Sequence, residues 1–549
     1  MVSFRLIGCV LSAHMVANTV GSYIPRDVVV DRAAAASATT DPQITTFVTS
    51  IPVPTPQVAA VSSALQSDPN VSLLLKGQPF VQAAITTVAC EVLKLILGSA
   101  KVDTKPVDTS LVELNWSQTC WKTPSCVVIA QDKTDVSVAL KTIKFLKLPF
   151  ATRSGGHSPN PGAASISEPG VLIDLQKLKQ ISVSADKKVA TVGPGGRWGD
   201  VYAALDPYGV GVIGGRIPQV GVGGLILGGG YFHFSSEYGL AADNVKNFEV
   251  VLADGSIVNA NAQQNTDLFW ALKGGGPNFG IVTKFDLYTI PQKDIWFTVS
   301  AYSSGDAYAL IDAFAKWQKT NTDNKATVAM VINLDTITFG LLYATTTPPA
   351  GTFQAFDGLP TPLAVAVPPT NGTFTLLATI LGSTSSTEPR HDYRGISTGV
   401  DAQLYKDVYA SWKQKASDAR AATGATMTFV LQPVFPGLTA ASNARGGNPL
   451  GIQPKAQQWW TTLMDWTDAK DDATVRGVSI ATTDTFKQQS KQRGLDIPYI
   501  FMNDASRDQN PIAGYGSANV QKLKTIAKKY DPTALFQNQQ QGGFLLKNA

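Results

Sequence analysis

Two adjacent glycines followed directly by a histidine are the residues of this sequence best suited to hold a cofactor and react with it. The stretch reads Arg153-Ser154-Gly155-Gly156-His157-Ser158. Glycines let backbone N–H groups approach a phosphate closely and form a small anion-binding concavity. A histidine directly after such a loop stands beside whatever the loop holds, so in a dinucleotide site it reaches the reactive ring or its edge. A tight turn with an ordinary surface histidine is the alternative, because short motifs often match by chance.

A second glycine-rich stretch covers residues 218–231 and has far more glycine than ordinary packing needs. We expect it, with the turn at Gly195 and Gly196, to line the rest of a dinucleotide, since side chains would block close approach. The residues expected in contact are Pro218, Val220, Gly221, Gly223, Gly224, Gly229 and Gly230. A Rossmann site is the competing interpretation, yet no G-x-G-x-x-G opens a helix with an acidic residue about twenty positions later.

Taken in order, these segments resemble the FAD-linked oxidases of the vanillyl-alcohol-oxidase type, and within them the berberine-bridge-enzyme-like branch with its secreted fungal members. The resemblance extends from about Cys90 to Phe544. It implies FAD as the cofactor, bonded covalently through its 8α carbon to His157. It also implies an α+β fold: a PCMH-type FAD-binding domain of two α/β subdomains, joined to a substrate domain with an antiparallel sheet and covering helices.

Two positions depart from the resembled branch. Ile217 stands where the branch has the cysteine that forms a second covalent bond to the flavin, and Leu225 stands where it has a histidine. We therefore expect a single covalent link, through His157 alone. Such a link would raise the flavin potential and prevent loss of the cofactor.

Further cofactor contacts are expected downstream. Residues 238–245 match the family segment near the isoalloxazine and adenine, which implies that Asn244, Ile281 and Val282 lie near FAD. For Asn244 taken alone, a turn or core position is an equally good interpretation.

The group that removes the substrate proton is less clearly marked. Many relatives have a tyrosine in a Tyr-x-Asn motif, and this chain has Phe501-Met502-Asn503, in which the phenylalanine cannot take a proton. In a strand, alternate side chains share a face, which puts Tyr499 on the side of Asn503. Tyr499 and Glu237 are therefore the candidate bases, and Asn503 is expected in the same site as a catalytic residue and a contact of FAD. A core tyrosine and a solvated loop charge are the alternatives.

The elements needed to position these residues follow from periodicity. Helices are predicted at residues 82–97, 135–146, 198–205, 267–272 and 307–317. Strands are predicted at residues 126–130, 171–175, 189–192, 245–252, 257–258, 280–285 and 327–334, with one ending in the apolar run 145–150. The loosely patterned residues 22–75 are predicted to form a loosely ordered arm.

We divide the chain into a signal peptide (1–21), an arm and helix (22–119), the FAD-binding domain (120–295), the substrate domain (296–495) and a C-terminal segment returning to the FAD domain (496–549). The leader has Arg5 before the apolar run 6–20, which favours secretion over a membrane span. Three glycosylation sequons begin at Asn70, Asn115 and Asn371.

Three cysteines follow the leader. The family resemblance implies a disulfide between Cys90 and Cys126, which leaves Cys120 as a free thiol or a competing partner.

Composition excludes several function classes. The chain has 549 residues, 44% of them hydrophobic and 16% charged, which is typical of a globular protein with more than one domain. Its net charge of +4 is too small to indicate nucleic-acid binding. No stretch beyond the leader has the unbroken apolar length of a membrane helix. The expected partners are a small-molecule substrate and O2.

The family resemblance implies an FAD-dependent oxidoreductase of specialised metabolism: a substrate C–H bond gives hydride to FAD N5, and O2 accepts the electrons. A flavoprotein isomerase or cyclase without net oxidation, a carbohydrate oxidase and a non-enzymatic binding protein are the alternatives. The aromatic residues considered for the substrate cavity are Trp296, Trp459 and Trp460, although large aromatics lie mostly in cores. His233 is a further polar candidate for the cavity, and a packed or surface histidine is at least as good an interpretation.

Overall fold

The computed structural model describes residues 40–291, 294–383 and 386–549. Its first elements are helices Pro42–Ser50, Val58–Ser67, Pro69–Leu75 and Gln82–Leu97. The side chains of Asp41 and Asp68 accept hydrogen bonds at two helix starts, each followed by a proline, which suits the first turn. The prediction of a loosely ordered arm is therefore wrong from residue 42 onward, because each helix is too short to show a long periodic pattern. The predicted signal peptide lies outside the described residues.

The first sheet places the glycine–histidine loop. Its strands are β1 Val102–Thr104, β2 Cys126–Ile129, β3 Phe150–Arg153 and β4 Val171–Asp174, in the order β1-β2-β4-β3. β4 runs parallel to both β2 and β3. Helix Lys133–Phe145 connects β2 to β3, so the run 145–150 begins at a helix end rather than within a strand, correcting that prediction. Cys90 and Cys126 form a disulfide that ties helix Gln82–Leu97 to β2.

The second sheet is antiparallel, and the second glycine-rich stretch lies in the chain between two of its strands. Its strands are β5 Ile181–Val183, β6 Val189–Val192, β7 Val245–Val251, β8 Ile257–Asn261 and β9 Ile281–Tyr288, in the order β5-β6-β9-β7-β8. The intervening helices are Trp198–Leu205, Val222–Leu227, Ser235–Tyr238 and Thr266–Leu272.

The third sheet has nine strands, and every pair in it is antiparallel. They are β10 Ile295–Ser303, β11 Ala326–Ile332, β12 Thr336–Tyr343, β13 Ala364–Gly372, β14 Arg390–Gly399, β15 Thr426–Met427, β16 Phe429–Val434, β17 Gln457–Trp466 and β18 Asp496–Ile497. Their order is β13-β10-β12-β11-β16-β17-β14-β18, with β15 beside β17.

Helices cover one face of this third sheet. Helices Ala307–Thr320, Ala402–Thr423 and Asp472–Gln492 pack there with buried strand residues such as Met330, Leu431 and Trp460. Residues one position along each strand point to the other face. Helices Phe374–Gly382 and Pro436–Ala444 lie elsewhere in this part of the chain.

The C-terminal segment returns to the first two sheets. It forms helices Ser517–Tyr530 and Leu535–Asn538, and the Phe150 N–H donates to the Gln539 carbonyl at 2.9 Å. Residues 498–501 are not a strand, and residues 502–504 form a 3₁₀ turn, so the predicted alternation of Tyr499 with Asn503 does not apply.

The remaining short elements are helix Thr109–Val112 and 3₁₀ turns Thr55–Gln57, Gln118–Cys120, Asp206–Tyr208, Ala242–Asn244, Ser304–Asp306, Gln354–Phe356, Ala469–Asp471, Met502–Asp504, Ile512–Tyr515 and Leu546–Asn548. Within the described residues, no helix is both long enough and apolar enough to cross a membrane.

Candidate active site

One large cavity of about 1900 Å³ lies between the glycine-rich loops and the uncovered face of the third sheet. The glycine side is lined by Ser154, Gly155, Gly156, His157, Ser158, Val220, Gly221, Gly223 and Gly224, with Ile281 and Val282 from β9. The sheet side includes Val299, Ala329, Val331, Val430, Gln432 and Thr461. The C-terminal segment closes the space with residues 501–504 and 540–544. The structure thus brings together most of the cofactor residues predicted from the sequence.

The two glycine stretches cross in direct backbone contact. A Cβ on Gly155 would lie 2.4 Å from Gly221 Cα, and a Cβ on Gly221 would lie 2.5 Å from Gly155 Cα. Side chains are excluded at both positions. In the described part of the chain, the N–H groups of Gly155 and Gly156 donate no hydrogen bond to protein. Unpaired N–H groups that line a cavity form the concavity that a phosphate requires, so these residues fit the pyrophosphate of FAD.

His157 stands at the edge of this wall, in a stack of rings. Its ring lies 4.2 Å from Trp116, whose other face lies 3.9 Å from His391. His391 Nδ1 is 2.6 Å from Asp465 Oδ1. Burial, with Arg197 and His391 nearby, lowers the pKa of His157 to about 3. The imidazole is therefore neutral near neutral pH and keeps the nitrogen lone pair that a bond to carbon needs.

Arg153 has a structural position rather than the predicted cofactor contact. It is fully buried, and its guanidinium pairs with Asp174 at the end of β4, with Nε to Oδ2 at 2.9 Å. Its Nη1 also donates to the Leu111 carbonyl at 2.6 Å. Arg153 therefore anchors the start of the loop behind the cavity wall.

Several other predicted cofactor residues also lie behind the wall. They are Gly195, Gly196, Pro218, Gly229, Gly230 and Asn244. A Cβ on Gly195 would lie 2.2 Å from the Leu175 carbonyl oxygen, so this glycine serves a close packing contact. The Asn244 amide donates to the carbonyls of Tyr238 and Leu240 at 2.8 and 2.9 Å, which is the turn role weighed as its alternative.

The predicted bases do not reach the cavity. Tyr499 is buried against Trp459, and its hydroxyl has no hydrogen-bond partner among the described residues. Glu237 lies on helix Ser235–Tyr238, outside the cavity lining. Tyr499 lies outside the lining because the segment before the turn at residues 502–504 is not a strand, and Glu237 lies outside it because its helix is not part of the cavity wall.

Asn503 does line the cavity, where it joins the glycine wall. Its Oδ1 accepts from the Gly230 N–H, and its Nδ2 donates to the Gly224 carbonyl, both at 3.2 Å. Phe501 and His233 also line the cavity. Burial and the nearby Arg216 lower the pKa of His233 to about 3. The candidate tryptophans Trp296, Trp459 and Trp460 are outside the lining.

A polar group on the far side of the cavity is not predicted by any sequence pattern. Arg216, Tyr393, Gln432, Thr461 and Asp504 line it together. No local spacing could reveal this group, because its members come from five separate segments. The one usable signal was a polar residue at an inward position of an apolar strand, as at Gln432.

Sequence comparison places this chain among known FAD proteins. Residues 124–261 match a family described as an FAD binding domain. The chain is 39% identical over 462 residues to an FAD-dependent monooxygenase of Arthrobotrys oligospora, covering 83% of this chain and 89% of the relative. It is 35% identical over 518 residues to the FAD-dependent monooxygenase macF of Penicillium terrestre, covering 92% and 97%.

The fold matches solved structures as well. BBE-like 1 of Physcomitrella patens superposes with a TM-score of 0.68 at 21% identity, covering 83% of this chain and 98% of that chain. At this level of identity the likeness establishes the fold alone.

Proposed function

Because this chain belongs to the FAD-linked oxidoreductases of the vanillyl-alcohol-oxidase and berberine-bridge-enzyme-like type, we propose that it oxidises a small organic molecule with an apolar skeleton. FAD binds along the glycine wall and supplies a two-electron acceptor, with O2 as the final acceptor. The observation that carries this proposal is the cavity itself, which has a backbone wall suited to a dinucleotide on one side and a sheet face on the other.

The character of the sheet face supports the substrate class. Strands β10, β11 and β16 of the third sheet present aliphatic side chains to the cavity, namely Val299, Ala329, Val331 and Val430. A sugar would need polar partners along its whole length, because unpaired hydroxyl groups are costly to bury. An apolar skeleton with few hydroxyl groups suits this wall better, as in specialised metabolites, and the carbohydrate-oxidase alternative is weaker.

We further propose that FAD is attached through His157 alone. His157 is neutral and lies at the edge of the glycine wall. Ile217 and Leu225 both line the cavity at the positions of the second linkage and of the family histidine, and neither side chain can form a bond to the flavin.

Secretion is the remaining proposal. A disulfide is typical of oxidising compartments, and Cys90–Cys126 supports that environment. Of the three sequons, Asn115 is buried and Asn371 is exposed, so Asn371 is the better glycan acceptor. Treatment of the culture-medium protein with a peptide N-glycosidase should lower its mass, and an Asn371→Gln variant should lose this shift.

The covalent link is tested by acid precipitation of the purified protein. Wild type should keep its yellow colour in the pellet, and His157→Ala should release any flavin it holds into the supernatant. His233→Ala is the matched control, since it removes another histidine of the same cavity and should leave the colour in the pellet. Colour released from wild type would contradict the role given to His157.

The reaction class is tested with a panel of polycyclic phenols, benzylic alcohols and oligosaccharides under ¹⁸O₂. An oxidase should form H2O2 in step with product, and a monooxygenase should place ¹⁸O in the product. Product formed without O2 consumption would instead support the isomerase or cyclase alternative.

A further inference from the structure

Asp504 follows a residue that is fixed to the glycine wall. Asn503 forms hydrogen bonds of 3.2 Å with the backbone of Gly224 and of Gly230. Asn503 and Asp504 both belong to the 3₁₀ turn Met502–Asp504. Asp504 lines the cavity directly beside this attachment. Its carboxylate therefore has a defined place between the proposed flavin wall and the third sheet.

Groups on the opposite side hold the carboxylate in orientation. Gln432 Nε2 donates to Asp504 Oδ2 at 2.9 Å, while Gln432 Oε1 accepts from Arg216 Nη2 at 2.5 Å. Because Arg216 occupies the amide oxygen, the amide NH2 must face Asp504. The Thr461 side chain also interacts with the carboxylate and favours its ionised form. A carboxylate has about four lone-pair sites, so acceptor capacity remains for a substrate hydroxyl.

The surroundings favour proton uptake at this carboxylate. Burial raises the pKa of Asp504, while Arg216, Gln432 and Thr461 oppose part of that rise. The negative charge of Asp504 also acts on two titratable side chains, because it contributes to the raised pKa of Tyr393 and of Tyr499. A base whose pKa lies nearer the working pH transfers protons more effectively.

The other carboxylates of the described cavity lining are already engaged. Asp465 pairs with His391, and Asp335 pairs with Arg420. Glu388 accepts a hydrogen bond from the exposed Thr467 hydroxyl at 2.6 Å. Glu388 and Asp504 are thus both held by neutral donors, and Asp504 is the one that directly follows a residue bonded to the glycine wall.

We propose that Asp504 is the general base of this enzyme, held by Gln432 and Thr461 to accept the proton of a hydroxyl group carried on an apolar skeleton. This assignment rests on the proposed function. The substrate O–H bond breaks and its proton goes to Asp504, and the C–O bond becomes C=O. The hydrogen on that carbon leaves with two electrons to bound FAD, which is the oxidant.

A binding experiment tests the carboxylate without relying on turnover. The probe is 4-nitrophenol, whose neutral and anionic forms differ in absorbance. Wild type should bind the neutral form in preference, because its hydroxyl donates to the carboxylate. In Asp504→Asn, one accepting oxygen is replaced by an NH2 group, and the positive charge of Arg216 is no longer compensated. The preference of this variant for the neutral form should therefore fall roughly tenfold or more.

Controls separate this test from folding and from the proposed function. Asp504→Asn should retain acid-stable yellow colour and should still be bleached by dithionite, which would show that the flavin site is intact. Asp504→Ser serves as a second neutral variant if the first does not fold. Asp335→Asn, at a carboxylate paired with exposed Arg420, should keep the wild-type preference.

Two results would overturn the assignment. One is a wild type that does not bind 4-nitrophenol, and the other is the same preference in wild type and in the neutral variants. A colourless wild type would instead refute the proposed function. With any panel alcohol that wild type oxidises, flavin reduction by Asp504→Asn should be about 10²–10⁴-fold slower.

Discussion

At the scale of single residues, Gly155 shows how a glycine can be required by its neighbours rather than by its own dihedral angles. Its Cα faces that of Gly221, and a methyl group on either would overlap the other backbone. Gly224 is different, because a Cβ there would meet no protein atom within 4 Å while the residue lines the cavity. Gly155 is therefore required for the packing of the wall, whereas Gly224 leaves room for contact with the cofactor.

This difference predicts opposite behaviour for two alanine variants. Gly155→Ala should lose about 1–3 kcal/mol of unfolding free energy and most of its FAD, because the overlap pushes the loops apart. Gly224→Ala should unfold like wild type and yet hold less FAD. Urea unfolding and the flavin-to-protein absorbance ratio measure the two effects.

Gly477→Ala is the control for these variants. Gly477 lies within helix Asp472–Gln492, where a Cβ meets nothing within 4 Å, so alanine should add up to about 1 kcal/mol through helix propensity. Equal stability of Gly155→Ala and wild type would refute the crossing contact.

At the scale of elements, the disulfide joins two pieces that otherwise meet through apolar packing. It links helix Gln82–Leu97 to β2 across a separation of 36 residues. A crosslink restricts the unfolded chain, so Cys126→Ser should lower the unfolding free energy by about 2–4 kcal/mol. Urea unfolding without reductant measures the loss.

Cys120 supplies the matched control for the disulfide. It is a buried free cysteine whose thiol donates to the Ser158 carbonyl, and burial raises its pKa to about 11. Cys120→Ser keeps a donor and breaks no covalent bond, so it should change stability by less than about 1 kcal/mol. A larger loss for Cys120→Ser than for Cys126→Ser would contradict the assigned pairing.

At the scale of the whole molecule, a buried neutral histidine links folding to pH. Burial lowers the pKa of His233 from 6.5 to about 3. Between those values the unfolded chain binds a proton that the folded chain does not, so stability falls as the pH falls through this window. Above the unfolded pKa of 6.5, His233 is neutral in both states, so the full stability of the folded protein is present.

The consequence can be measured by comparing two pH values. On going from about pH 7 to about pH 4.5, wild type should lose roughly 2–3 kcal/mol more unfolding free energy than His233→Asn, at about 1.4 kcal/mol per pH unit. Urea unfolding at each pH gives the difference. An equal loss in both proteins would show that His233 does not remain neutral in the folded state.

Local patterns predicted many elements and the glycine side of the site. Helix Gln82–Leu97 and strand Val189–Val192 lie where periodicity predicts them, and β7 and β8 include the strands predicted at residues 245–252 and 257–258. Local patterns do not predict the candidate bases, because strand alternation puts Tyr499 on the side of Asn503 although residues 498–501 form no strand and residues 502–504 form a turn. A local pattern cannot specify which side of a turn meets a distant sheet.

The sequence by itself determined the cofactor class, the single candidate for covalent attachment and the loss of the family tyrosine, because each depends on residue types within a short segment. Tertiary structure decided that Arg153 is a buried anchor and that Gln432 bonds both Asp504 and Arg216. The Arg153–Asp174 pair joins residues 21 apart, whereas Gln432 meets Asp504 and Arg216 across separations of 72 and 216 residues. Only the packing of the third sheet against the glycine loops brings them together, and no short-range pattern records that packing.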